Sequence, residues 1–174
     1  MLANLCQGRY NVDHLITNRT YDDVKRWKTL RDKGWLRMTE EERKEWFGEI
    51  ETTPAATKGM YTHNDLNRVE KAVESISLRF KDAGYKVPEL EIKTDWTYQD
   101  TITKSDMERY LYNVLFLREF LITFSDTPNA PSIDVPLNYK LANDLEKILK
   151  DIYKIADGIV RSRYYAGEIM SGEV

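Results

Sequence analysis

The sequence predicts an all-α fold: a bundle of three long antiparallel helices, over about 62–83, 103–124 and 139–165, with a short helical hairpin before it and extended terminal arms. Three observations carry this reading. Apolar residues recur at three- and four-residue steps, which puts them on one face of a helix. Threonine followed three residues later by an acid stands at several segment starts, the pattern of a reciprocal N-terminal cap. Proline and glycine punctuate the gaps. With 174 residues and 41% hydrophobic content, the chain can bury a core without disulfides.

In chain order, residues 1–16 read as an arm, strand-like around Tyr10, Val12 and Ile16. Residues 17–48 read as the helical hairpin. Thr20 opens its first helix, with Val24, Trp27 and Leu30 on one side and Gly34 after it. Thr39-Glu40-Glu41-Glu42 caps the second, and Gly48 ends it. Residues 49–60, with Pro54, Ala55, Ala56 and Gly59, read as a linker and the best domain boundary. The bundle occupies 61–165. Its first helix carries Leu66, Val69, Val73, Ile76, Phe80 and Ala83, is capped by Thr62 or Asn64, and stops at Gly84.

Thr103 with Asp106 opens the second long helix, striped by Met107, Tyr110, Leu111, Val114, Leu117 and Leu121. Leu115, Phe116, Phe120 and Phe124 widen that stripe, so burial on more than one side is expected. The third carries Leu141, Leu145, Ile148, Leu149, Ile152, Ile155 and Ile159, with Gly158 read as close packing or a local bend. Asp144 and Glu146 near its start suit the helix dipole. Tyr85–Thr94 reads as extended, and Pro128, Pro131 and Pro136 make 125–138 a long surface loop. Neighbouring helices joined by short loops pack antiparallel. Residues 166–174 read as an extended tail.

Net charge is −3, from 26 basic and 29 acidic residues, which excludes nucleic-acid binding by a bulk basic field. No apolar run reaches membrane-spanning length, so no membrane partner is expected. Met1 to Arg9 lacks a basic stretch followed by an apolar run, so export by a signal peptide is not expected. With one cysteine, Cys6, and two histidines, His14 and His63, the chain lacks ligands for a Cys/His zinc site. No glycine-rich phosphate loop, nucleophile elbow or His-Glu-x-x-His motif occurs, and no cofactor is expected.

His63 reads as a helix-start residue, and Cys6 as incidental. Glu40, Glu41 and Glu42, like Asp22 and Asp23, are explained by the dipole at a helix start, and no carboxylate stands in a setting that demands burial. Trp27, Trp35, Trp46 and Trp96 are anchors for a core or an interface. Arg161-Ser162-Arg163-Tyr164-Tyr165 is a solvated helix end or a protein contact.

A set of motifs runs through most of the chain. It comprises Asn18-Arg19-Thr20, Gly34-Trp35, Met38-Thr39-Glu40-Glu41-Glu42 with Glu45-Trp46, and Gly59-Met60-Tyr61 with Asp65-Leu66-Asn67-Arg68-Val69. Lys93-Thr94-Asp95-Trp96, a Met107 to Arg118 block, Ala142 to Leu149, and Tyr165-Ala166-Gly167-Glu168-Ile169 complete it. In this order they resemble a module of prophage-encoded structural proteins of Firmicutes, from the tail and baseplate region. Two positions depart from that pattern: Asn18 stands where Asp is expected, and Ala166 follows Tyr165 where Ser is expected.

The resemblance implies a non-enzymatic virion component assembled in the bacterial cytoplasm. Its implied partners are other virion structural proteins and further copies of itself. No catalytic residue comes with it. Within that expectation Trp96, Tyr164, Tyr165, Ile169 and the 1–16 arm are contact candidates. Asn67 and Arg68, facing away from the helix stripe, would hold the Thr94-Asp95 stretch and dock the extended connector. A soluble intracellular helical adaptor is the competing reading, and a cell-wall hydrolase needs an acid pair in a cleft.

Overall fold

The computed structural model describes residues 12–49 and 55–171, and for 164–171 the helical backbone alone. Its described residues hold five α-helices and no strand: α1 (Tyr21–Lys33), α2 (Glu40–Phe47), α3 (His63–Asp82), α4 (Lys104–Phe120) and α5 (Tyr139–Ser171). Short 3-10 turns cover Val12–His14, Trp35–Arg37 and Ala56–Gly59. The all-α expectation therefore holds.

The caps explain where helices start. At α1, α2, α3 and α4 the preceding threonine accepts from the helix backbone, while an acid three residues on accepts from the threonine N–H. Helix α3 stops where Gly84 takes φ 78° and the Tyr85 N–H reaches back to the Phe80 carbonyl at 2.9 Å.

One large core joins α3, α4 and α5, centred on Phe80, Ile76, Tyr110, Leu117, Leu145 and Ile152. The helices are not antiparallel. Arg68 pairs with Glu146 and Arg79 with Asp157, so α3 and α5 advance together. Glu70 pairs with Arg109 and Phe80 stacks near Phe120, so α4 runs the same way. The reason lies in the connectors. Residues 83–103 and 121–138 are irregular, and roughly ten extended residues span the length of a 30 Å helix. Each connector is long enough to carry the chain back to the starting end.

The first connector is irregular over the stretch expected to be extended, Tyr85–Thr94, and runs back along α3 and α4. Arg109 and Asn113 donate to the Glu91 carbonyl at 2.6 and 2.8 Å. Asn67 clamps the Trp96 backbone by both its amide groups, each at 2.8 Å.

Several expectations are corrected. Residues 166–171 continue α5 rather than forming an extended tail, because the helical spacing of the segment runs on; 172–174, like 1–11, lie outside the described residues. Val12 and Leu15 are buried in the large core, so the described end of the N-terminal arm is neither strand-like nor separate. The supposed linker is no boundary: its described part packs against α1, with Ala56 joining Leu30 and Met38 in a second small core. Gly59 is required there, since a Cβ would lie 2.1 Å from the Asp23 carbonyl oxygen. Helix α4 ends at Phe120; of the residues expected to widen its stripe, Phe116 and Phe120 pack against the large core, whereas Leu115 is exposed, as is Phe124 beyond the helix end. A Cβ at Gly158 would meet nothing within 4 Å, so close packing does not explain that glycine.

Candidate functional site

An open cleft of about 760 Å³ lies between the hairpin and the starting end of the long helices. Trp46, Phe47 and Met60 line the hairpin side, and His63, Tyr98 and Ile102 line the other. Local structure fixes both walls. Gly48 terminates α2 in the left-handed region just after Phe47. Thr97 and Asp100 close a turn around Tyr98, with the Thr97 N–H donating to the Asp100 carboxylate at 2.6 Å.

Beneath the cleft sits a cluster of two arginines and two acids. Arg19 donates through Nη2 to Asp65 and to Glu146, each at 2.7 Å. Arg68 donates to Glu146 through Nε and Nη2, at 2.9 and 2.8 Å, and also to Asp65. The Ile16 N–H donates to Glu146 as well. Asn143 clamps the Arg19 backbone, accepting its N–H at 2.9 Å and donating to its carbonyl at 2.8 Å. The cluster thus ties the N-terminal segment to α3 and α5. The Thr62 N–H donates to Asp65 at 2.6 Å, so the chain leaves for the hairpin and returns from it at the same carboxylate.

Burial alone would raise the Asp65 carboxyl, but Arg68, the Thr62 N–H and Arg19 outweigh it and hold the group below the usual carboxylate range. Tyr61, whose ring lies 5.5 Å from the Arg19 guanidinium, is pushed up by burial and by the charge of Glu146. Tyr110, hydrogen-bonded to Tyr61, is raised by burial too. Glu70, beside Arg109 at 2.6 Å, is raised because burial prevails over that partner.

Asp65 and Glu146 are a buried acid pair within a few ångströms of each other. General acid catalysis needs a carboxyl that keeps its proton near working pH. Asp65 has the opposite tuning, and its two oxygens are taken by Arg19, Arg68 and Thr62. The pair therefore holds the fold together. Among the described residues no group of three or more His, Cys, Asp or Glu is placed to hold a metal ion, and no helix is long and apolar enough to cross a membrane.

Of the contact candidates, Trp96 is 4% exposed and belongs to the large core, because Asn67 pulls its backbone against α3. Tyr164, Tyr165 and Ile169 fall in the last turns of α5, where their side chains lie outside the described residues. Of the expected docking pair, Asn67 does hold the connector, at Trp96, whereas Arg68 turns inward to Glu146. Glu146 is a buried ion-pair partner, not a group serving the helix dipole. Nothing in the sequence marks the cleft, since Phe47 and Tyr98 belong to no apolar stripe and lie far apart in the chain. No protein-family model, curated protein or solved structure matches this chain.

Proposed function

We propose that the chain is a non-enzymatic structural component of a phage or prophage particle, in the tail or baseplate region, acting by packing between subunits. The observation that carries this reading is where apolar and ionic groups sit. Leu36 is 91% and Ile122 95% exposed, and Trp35, Phe47, Tyr112 and Phe124 join them on the outside. Large apolar side chains turned to solvent suit contact with other proteins. The buried acids, in contrast, are held by cationic partners inside the fold, Asp65 and Glu146 by Arg19 and Arg68, Glu70 by Arg109 and Asp151 by Lys147. The motif order from Asn18 to Ile169 supplies the particle itself.

A soluble intracellular adaptor is the second reading, favoured by the aromatic cleft, which has the form of a partner groove. Mass spectrometry of particles purified from an induced source strain, with the soluble lysate as control, separates the two. Peptides of this chain at stoichiometric levels in intact particles are the expected result. Abundance in the lysate with none in particles would overturn the virion reading and leave the adaptor.

A further inference from the structure

The hairpin and the long-helix body share no core. Leu30, Met38, Ala56 and Trp46 pack among themselves. Among the described residues, none between 20 and 60 belongs to the core of α3, α4 and α5 or packs against it. The ion pairs divide in the same way. Arg26 with Glu45, Lys33 with Glu42 and Lys58 with Asp23 all close within the hairpin. Helix α1 packs on the 56–59 turn and on α2, while the open cleft parts Trp46 and Phe47 from Tyr98 and Ile102. Two units of one chain move relative to each other unless a large apolar interface locks them. No such interface joins these two.

The chain crosses between the units twice, and both crossings lie at Asp65. On the body side of the first, Asn143 holds the Arg19 backbone, and the Arg19 guanidinium holds Asp65 and Glu146. On its hairpin side Thr20 caps α1, and its N–H and hydroxyl donate to Asp23 at 2.7 and 2.9 Å. At the second crossing, Gly59 is seated on the Asp23 carbonyl, and the Met60 N–H donates to the Thr57 carbonyl at 3.1 Å. Beyond it, Tyr61 packs against the large core, and the Thr62 N–H holds Asp65. Each unit is thus fixed up to a single residue, Thr20 on one crossing and Met60 on the other. Both are extended, with φ −120° and ψ 168° at Thr20 and φ −114° and ψ 164° at Met60. That region is broad, so both dihedrals can change without a clash. A few element-terminal residues of this kind are all that a hinge requires.

We propose that residues 20–60 swing as a rigid unit about Thr20 and Met60, widening and narrowing the cleft between Phe47 and Tyr98. The swing leaves both cores and the cluster at Asp65 intact, so it is a different event from unfolding of the hairpin. It turns the exposed Trp35, Leu36 and Phe47 relative to Ile122 and Phe124. The angle between the exposed apolar groups of the two units is therefore adjustable. The hinge holds for a particle subunit and for an adaptor alike.

Pulsed electron spin resonance on the full chain tests it, with Cys6→Ser removing the native thiol and spin labels on pairs of introduced cysteines. Glu41→Cys with Gln99→Cys joins hairpin to body. Lys28→Cys with Glu41→Cys reports on the hairpin alone, and Glu74→Cys with Gln99→Cys on the body alone. All four positions are exposed, so the labels touch neither core, and circular dichroism should match the wild type. Hinge motions take microseconds to milliseconds, and freezing traps the angles that are populated. The hairpin-to-body pair should give a distance distribution broader than either control. Leu36→Cys with Ile122→Cys, at exposed groups of the two units, should broaden likewise. Hairpin-to-body distributions as narrow as both controls overturn the hinge. A hairpin control as broad as the hairpin-to-body pair overturns it as well, because the hairpin would then be loosening internally rather than swinging.

Discussion

The hairpin and the long-helix body are held by different means. The body has a large core, a four-residue ion cluster and two asparagine clamps that reach across long stretches of sequence. The hairpin has a core of three buried residues, capping boxes at its helix starts, and one close backbone approach at Gly59. Its ends are pinned together at Asp65, so it is an excursion from the body with little apolar surface of its own. Capping and termination set where its helices start and stop, and the Arg26–Glu45, Lys33–Glu42 and Lys58–Asp23 pairs tie its pieces together. Long-range pairing is needed to shape the body. The hairpin should therefore open first, at a free energy well below global unfolding.

The strongest way to break the body is at the charge cluster. Glu146→Gln removes the carboxylate that accepts from Arg19, Arg68 and Ile16 and leaves two buried guanidinium groups to share the single charge of Asp65. A loss of about 3–5 kcal/mol is expected in urea unfolding. Acid should act on the same cluster. The folded Asp65 carboxyl lies below its unfolded value, so its ionised form stabilises the fold above the unfolded value. That contribution falls away as pH drops from about 4 through the lowered folded value. In Asp65→Asn the acid-side decline of the urea midpoint should be shallower; an unchanged decline would show that other groups control it.

Gly59→Ala sharpens the contrast because it strikes the hairpin alone. A methyl group placed 2.1 Å from the Asp23 carbonyl forces the 56–59 turn off α1. Such overpacking costs about 1–3 kcal/mol. Hydrogen exchange should speed up in α1 and α2 with little change in α3 and α5. Equal acceleration in both would mean that the two regions unfold as one unit. Asn67→Ala makes the reciprocal test on the body. It leaves the Trp96 N–H and carbonyl without their partners, at about 1–3 kcal/mol, and exchange should rise around residue 96 while the hairpin stays protected.

The same contrast decides what was legible in the sequence. Helix starts at Thr20, Thr39 and Thr103, and the stop at Gly84, follow from contacts within four or five residues, and reading them needs no partner. The direction of α4 and α5 depended on where 83–103 and 121–138 lead, and an extended chain can end at either end of a bundle. Glu146 reads in the sequence as a charge suited to the helix dipole and Arg68 as a clamp on the Thr94-Asp95 stretch, because the spacing of each is that of any polar helix face. Only the meeting of α3, α5 and the N-terminal segment buries them. The cleft was hidden for the same reason: Phe47 and Tyr98 are distant in sequence and share no periodic pattern.

The smallest expected effect comes from the caps. Thr39→Ala removes the hydroxyl that accepts from the Glu42 N–H at the start of α2, and cap losses of this kind run to about 1 kcal/mol. In a unit with so small a core, that loss should be visible as faster exchange across α2. Thr103→Ala removes the equivalent acceptor at α4, where the Asp106 N–H is the donor. The chemistry lost is the same at both sites. Helix α4, however, is also fixed by Tyr110, Val114 and Leu117 in the large core and by the Arg109 and Asn113 contacts to Glu91. Its first turn should fray while the rest keeps its protection. A whole-helix response at α2 and a first-turn response at α4 would confirm that local signals hold the hairpin and long-range packing holds the body. Matching responses would remove that distinction.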